Sequence, residues 1–130
     1  MTERDHIEQL IAELRRTRFP CADDLHVHWI DNRDAARAIS DIDPVELYLP
    51  HIRSPEDYAT ALHELGHVCA RYQKSSNVMT RERWAWDWAR KKALDWTDAM
   101  ESEAQASLQR YARSRQESVY GTPTRVFPIS

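Results

Sequence analysis

Residues 54–73 read SPEDYATALHELGHVCARYQ, and this stretch decides the fold because it joins a helix start to a metal-binding pattern. Ser54 can cap a helix, Pro55 suits the first turn, and the acidic residues that follow complement the helix dipole. The apolar spacing predicts a helix that runs to about Gln73. Its apolar back is formed by Leu62, Leu65, Val68 and Cys69.

The segment from His63 to His67 matches the pattern H-E-x-x-H, which is typical of zinc-dependent proteases. On a helix the two imidazoles lie about 40° apart around the axis, because each residue advances about 100°. Both can then reach one tetrahedral zinc ion. Glu64 lies beside them and can take a proton from a water bound to that ion. The pattern therefore predicts one Zn²⁺ ion, with Glu64 as the catalytic residue.

Gly66, one of two glycines in the chain, lies inside this predicted helix. A glycine in a helix interior costs about 1 kcal/mol relative to alanine, so we expect it to permit the close approach of another element. Ala59 and Ala70 share the histidine side of the helix, and their small side chains leave room for a metal ion and a substrate.

A catalytic zinc site usually has a third protein ligand, and Glu82 is the main candidate. Residues 80–92 are predicted to form a second helix, on which Glu82 shares a face with Ala85 and Ala89. A carboxylate among small apolar residues needs a charged partner or a metal, since its burial is otherwise costly. The competing interpretation is an exposed Glu82 in surface ion pairs. The other candidate ligands are Glu101, Glu103 and Asp87, of which Asp87 could instead support a ligand histidine.

The H-E-L-G-H helix followed by a helix reading Glu82-x-x-Ala85-x-x-Trp88-Ala89 resembles the ImmA/IrrE group of gluzincin-type metallopeptidases. The resemblance covers about residues 25–96, with Trp88 where the group usually has Phe. It implies a zincin-like fold in which zinc is bound by His63, His67 and Glu82 and Glu64 is the base. It also implies a specific protein substrate, such as a transcriptional repressor, rather than general digestion.

The segments before the motif predict a helix and a small sheet. Residues 2–18 have the apolar spacing of an amphipathic helix, and strands are expected at 25–30, 35–42 and 46–50. Pro50 suits an edge strand, and an edge strand beside the motif helix could bind an extended peptide by strand addition. The 25–30 strand has His26 and His28 on its polar face. These two could form a second metal site, although two partly exposed polar positions are the more ordinary interpretation.

The segments after the second helix complete a single domain over residues 1–130. Helical spacing continues to about Arg115, either after a break and restart at 95–98 or as one long bent helix, since no Gly or Pro occurs between Gly66 and Gly121. Residues 116–130 are expected to be an extended C-terminal tail. The fold class is therefore predicted to be α+β: a compact, zincin-like domain with a small antiparallel sheet packed on the H-E-x-x-H helix and further helices.

Composition argues against several classes of protein. The net charge of −3 gives no basic field of the kind that suggests a nucleic-acid partner. No apolar run approaches the length of a membrane span, and the polar first residues do not resemble a signal peptide. The two cysteines do not make a disulfide framework, so a cytoplasmic location is expected.

Three functional hypotheses follow. The first is zinc-dependent hydrolysis of a peptide bond in a protein or peptide substrate, and the second is a catalytically silent zincin-like module that binds a protein or peptide. The third is a small helical interaction protein in which the motif arose by chance. An oxyanion stabiliser is expected for hydrolysis. The nearby candidates, none of them assigned, are Tyr48, His51 and Tyr72. The sequence leaves the oligomeric state open.

Overall fold

The computed structural model describes the backbone of residues 1–120 and the side chains of residues 1–114. The described chain is an α+β domain of four α-helices and a three-stranded sheet, as predicted. In chain order these elements are α1 (Glu3–Arg18), β1 (Leu25–Ile30), β2 (Arg37–Ile39), β3 (Val45–Pro50), α2 (Pro55–Cys69), α3 (Val78–Lys92) and α4 (Asp98–Tyr120).

The sheet is mixed, so the predicted all-antiparallel arrangement is wrong for one strand pair. The strand order is β1-β3-β2, with β3 parallel to β1 and antiparallel to β2. The predicted edge strand at 46–50 therefore lies at the centre of the sheet. Pro50 is tolerated there because it is the last residue of β3, and beyond it His51 N donates to Ile30 O at 2.9 Å. The predicted 35–42 strand is shorter, since a 3₁₀ turn at Arg33–Ala35 precedes β2.

Side-chain caps set the helix starts. Thr2 and Asp5 form a capping box at α1, Ser54 caps α2, and Asn77 caps α3. α3 therefore begins at Val78, two residues before the predicted start at 80. α2 ends at Cys69, earlier than expected, because Ala70 has extended backbone angles. No described helix is both long and apolar enough to span a membrane.

The chain breaks between α3 and α4, since α3 ends at Lys92 and α4 begins at Asp98, so the alternative of one long bent helix is wrong. α4 then continues to Tyr120, so the first five residues of the predicted extended tail, 116–120, are helical. The rest of that tail, residues 121–130, lies outside the described residues.

The core forms where α2 packs between the sheet and the other helices. Gly66 marks a close approach of two helices within it: a β-carbon built there would lie 2.6 Å from Ala85 O and 3.0 Å from Ala85 Cα. The predicted role of Gly66 is therefore confirmed, because only a residue without a side chain lets α3 pack this closely on α2. The core contains fully buried side chains from six elements, namely Ile7, Leu25, Leu47, Leu49, Tyr58, Leu62, Trp86 and Met100.

Candidate metal centre

The close packing of α2 on α3 brings together the three residues predicted to bind a metal. His63 and His67 lie one turn apart on α2, and Glu82 faces them from the first half of α3. His63 Nε2 is 2.9 Å from Glu82 Oε1, and His67 Nε2 is 2.9 Å from Glu82 Oε2. His63 and Glu82 are each 4% exposed, so the interpretation of Glu82 as an exposed residue in surface ion pairs is wrong.

The arrangement fits a metal ion in both chemistry and distance. One ligand atom from each of the three residues lies within 4.8 Å of the other two. In a tetrahedral zinc site with bonds of about 2.0–2.2 Å, neighbouring ligand atoms are about 3.3 Å apart, so small side-chain rotations suffice. Two imidazoles and one carboxylate are also a known donor set for catalytic zinc. The group could therefore hold a metal ion.

The charges of the three residues are strongly coupled. Burial alone would raise the pKa of Glu82, but the hydrogen bonds from His63 and His67 outweigh it and lower that pKa. Burial would likewise lower the pKa of His63, but its hydrogen bonds with Glu64 and Glu82 raise it instead. Glu82 is therefore ionised at neutral pH, which is the form that binds a cation, and a metal would displace a proton from His63.

Two further residues orient the histidines, and sequence reasoning did not assign either of them this role. Gln73 accepts a hydrogen bond from His67 Nδ1 at 2.9 Å, which directs Nε2 towards Glu82. Gln73 is itself held because its amide donates to Arg71 O and Arg81 O. Trp86 stacks on His63 with 4.1 Å between ring centroids and 8° between planes.

Glu64, the predicted base, lies where two cavities meet. It is 6% exposed, and its Oε2 is 3.2 Å from His63 Nδ1. The first cavity, of about 480 Å³, extends from His63 towards α4; the second, of about 1030 Å³, extends from His67 towards the loop between α2 and α3. The residues that line both cavities are Ala36, Glu64 and Tyr111.

The other candidate ligands do not join the two histidines. Glu101 accepts hydrogen bonds from Arg90 and Trp96, and Asp87 is bound to the same arginine, so Asp87 does not support a ligand histidine. Glu103 lines the first cavity with its carboxylate 3.7 Å from Arg110. Of the four acidic candidates, Glu82 alone joins His63 and His67.

The tyrosine at the site is Tyr111 on α4, which the sequence placed only in a helical pattern. None of the three residues considered as oxyanion stabilisers lines either cavity. Tyr48 stacks on His28, and Tyr72 packs on Trp84. His51 stacks on Trp29 at the end of the sheet. Tyr111 was missed because the packing of α4 across α2, on which its position depends, has no local sequence pattern.

Comparisons of this chain with protein-family models, with curated proteins and with solved structures gave no match. The geometry of His63, His67 and Glu82, with the residues around them, is therefore the evidence of function in this chain.

Proposed function

We propose that this chain is a zinc-dependent peptidase that hydrolyses a peptide bond in a specific protein or peptide substrate. The observation that carries the proposal is the convergence of His63, His67 and Glu82 beside a further carboxylate, Glu64, at the junction of two cavities. A purely structural ion cluster would not require an additional carboxylate at an open groove. The resemblance of the same residues to the ImmA/IrrE motifs supports the proposal and suggests selective cleavage.

The three ligands fit zinc, and a zinc ion bound there would lower the pKa of a water molecule to about 7 and polarise the substrate carbonyl. Glu64 takes the proton from the attacking water as the water oxygen bonds to the carbonyl carbon. Glu64 then delivers that proton to the amide nitrogen as the C–N bond breaks. The products are a carboxylic acid and an amine.

Tyr111 is the candidate for stabilising the negative charge that develops on the carbonyl oxygen. It lines both cavities beside Glu64, so its hydroxyl can donate a hydrogen bond to a substrate bound across them. Burial raises the pKa of Tyr111, and the negative charges of Glu82 and Glu64 raise it further. The phenol therefore keeps its proton at neutral pH and remains a donor.

Strand β2 is the element placed to align the substrate. It pairs with β3 along one side only, and within residues 1–120 no strand pairs with its other side. Ala36 and Ala38 of this segment line the second cavity. An extended peptide can add to this edge by main-chain hydrogen bonds, the role that the sequence had suggested for residues 46–50.

We propose a location in the reducing cytoplasm, which suits a protein whose cysteines are free thiols. Cys21 and Cys69 are both free thiols, and neither is near the metal centre in a way that would make it a ligand. Imidazole and carboxylate ligands also bind other transition metals, so the identity of the ion needs direct measurement.

The test combines metal analysis with a cleavage assay on the wild type, Glu64→Gln and Glu82→Ala. We expect one zinc ion per chain in the wild type and in Glu64→Gln, with hydrolysis only in the wild type. Glu82→Ala should lose most of its zinc. Hydrolysis retained by Glu64→Gln would contradict the mechanism, and a wild type that binds no metal would contradict the whole proposal.

The second candidate is a catalytically silent module that binds a protein or peptide. One contact favours it: Glu64 Oε2 lies 3.2 Å from His63 Nδ1. This contact engages the carboxylate that would otherwise accept a proton from water. Such a module would bind zinc and peptides in the same groove but would leave every peptide uncut. The same cleavage assay therefore separates the two candidates.

A further inference from the structure

The two cavities beside Glu64 differ in charge. In the first, each arginine has an acidic partner: Arg33 Nη1 donates to Asp57 at 2.9 Å, and Arg110 Nη2 is 3.7 Å from Glu103. Asp34 adds a further negative charge to the lining. Both arginines of this cavity are therefore paired, and there is no excess of positive charge on this side of the metal centre.

The second cavity is lined by cations without acidic partners. Arg18, Lys74 and Arg81 all line it, and none of them forms an ion pair with a carboxylate within the described side chains. Arg18 donates to Val68 O and Arg81 to Ser75 O, but neutral carbonyls do not cancel their charges. Apart from Glu64 and Glu82 of the metal centre, Asp41 is the one carboxylate in the lining.

Arg37 also lines this cavity, but its guanidinium group packs on Tyr48. Its guanidinium lies 4.0 Å from the ring centroid of Tyr48. Tyr48 alternates with the buried Leu47 and Leu49 along β3, so it lies on the outer face of the sheet. The positive charge of the cavity therefore comes from the end of α1, the loop between α2 and α3, and the start of α3.

We propose that the second cavity recognises acidic side chains, Asp or Glu, in the substrate segment on one side of the cleaved bond. This inference rests on the proposed function and specifies the substrate class of the same site. The first cavity, whose arginines are already paired, gives no such preference on the other side. Because the three cations are partly open to solvent, we expect a moderate, salt-sensitive selectivity rather than an absolute requirement.

The test uses the full chain with one equivalent of zinc and a randomised peptide library, with the cleaved bonds identified by mass spectrometry. Acidic residues should be enriched on one side of the cleaved bond and not on the other. Lys74→Glu should lower kcat/KM for acidic peptides about threefold to tenfold relative to neutral ones, with a smaller effect for Lys74→Ala. Lys74 is exposed and makes no side-chain hydrogen bond in the described chain, so both variants should fold.

Lys91→Glu is the matched control, because Lys91 is an exposed lysine of α3 that lines neither cavity. It should leave the preference unchanged, whereas added salt should weaken it in the wild type. Cleavage without an acidic preference, or with one that Lys74→Glu does not alter, would overturn the inference and leave the proposed function intact.

If no peptide is cut, fluorescence anisotropy measures the binding of labelled acidic and neutral peptides to the same zinc-loaded protein. Tighter binding of acidic peptides that is weakened by Lys74→Glu would support the inference. Equal binding would overturn it. The lack of cleavage would count against the proposed function alone.

Discussion

Two histidine pairs in this chain are each bridged by one glutamate, and their environments differ. The buried cluster is His63, His67 and Glu82. The exposed cluster is His26, His28 and Glu46, in which Glu46 is 3.0 Å from His26 Nδ1 and 2.6 Å from His28 Nε2. The imidazoles of the exposed cluster are each 43% open to solvent, against 6% and 16% for His63 and His67.

The difference shows why residue types alone do not define a metal centre. The ring centroids are 4.6 Å apart in the buried pair and 6.4 Å apart in the exposed pair. Among the described residues, only the buried cluster brings three ligand atoms within 4.8 Å of one another. Water can reach a partly exposed glutamate such as Glu46, but a carboxylate as buried as Glu82 needs a counter-charge or a metal ion.

The strongest test removes each bridging carboxylate in turn. Glu82→Gln should reduce zinc affinity by more than the roughly 10–100-fold typical of changes beyond the ligands, because it removes a ligand itself. Glu46→Gln should keep one zinc per chain with unchanged affinity. Zinc affinity is measured by competition with a chromogenic chelator. A fall in zinc stoichiometry in Glu46→Gln would show that both clusters bind metal and would break the comparison.

A tyrosine lies next to each cluster, which gives a matched pair for catalysis. Tyr111→Phe should lower kcat about 100-fold with zinc retained, since it removes the proposed donor to the developing oxyanion. Tyr48→Phe should leave kcat unchanged, because Tyr48 stacks on His28 in the exposed cluster. The measurement is steady-state hydrolysis of the best library peptide. Equal rates for Tyr111→Phe and the wild type would remove Tyr111 from the mechanism.

The sequence predicted the parts of this site that depend on helix geometry. The spacing of His63 and His67 defines their common direction, and the small residues after Glu82 mark the face that packs on α2. The prediction from Gly66 was confirmed for the same reason, since a mid-helix glycine is costly without a close neighbour.

The parts that the sequence did not reveal depend on long-range packing. No local sequence pattern indicates that β3 lies between β1 and β2. Pro50 at the end of β3 instead suggested an edge strand. Gln73 supports His67 only because α2 ends at Cys69 and the chain folds back. Tyr111 reaches the groove through the docking of α4, which no spacing pattern encodes.

The close contact between α2 and α3 at Gly66 explains why His63 and His67 lie so close to Glu82. The substitution Gly66→Ala tests this explanation. The added methyl would lie 2.6 Å from Ala85 O, so α3 must shift and carry Glu82 with it. We expect a loss of about 1–3 kcal/mol in unfolding free energy and weaker zinc binding. The measurements are urea denaturation of the apo protein and chelator competition.

Ala12→Gly is the control for Gly66→Ala. Ala12 is exposed on α1, so its replacement costs about 1 kcal/mol through helix propensity without disturbing the metal centre. It should lower stability and leave zinc affinity unchanged. If Gly66→Ala also left zinc affinity unchanged, the close packing would not be what positions Glu82.

The smallest expected effect is the pH dependence of the exposed cluster. The hydrogen bond from His28 lowers the pKa of Glu46 below its ordinary value of 4.5, with partial opposition from burial and further lowering by His26. A carboxyl with a lowered pKa stabilises the fold above its ordinary pKa, and that contribution is lost as the pH falls through the folded-state pKa. The stability difference between the wild type and Glu46→Gln should therefore be full above pH 4.5 and shrink at lower pH. Urea denaturation of both proteins across this range, without zinc, provides the measurement. A difference that grew on acidification would show that the Glu46 bridge does not favour the ionised carboxylate, and the two clusters would then differ in the charge of the bridge as well as in burial.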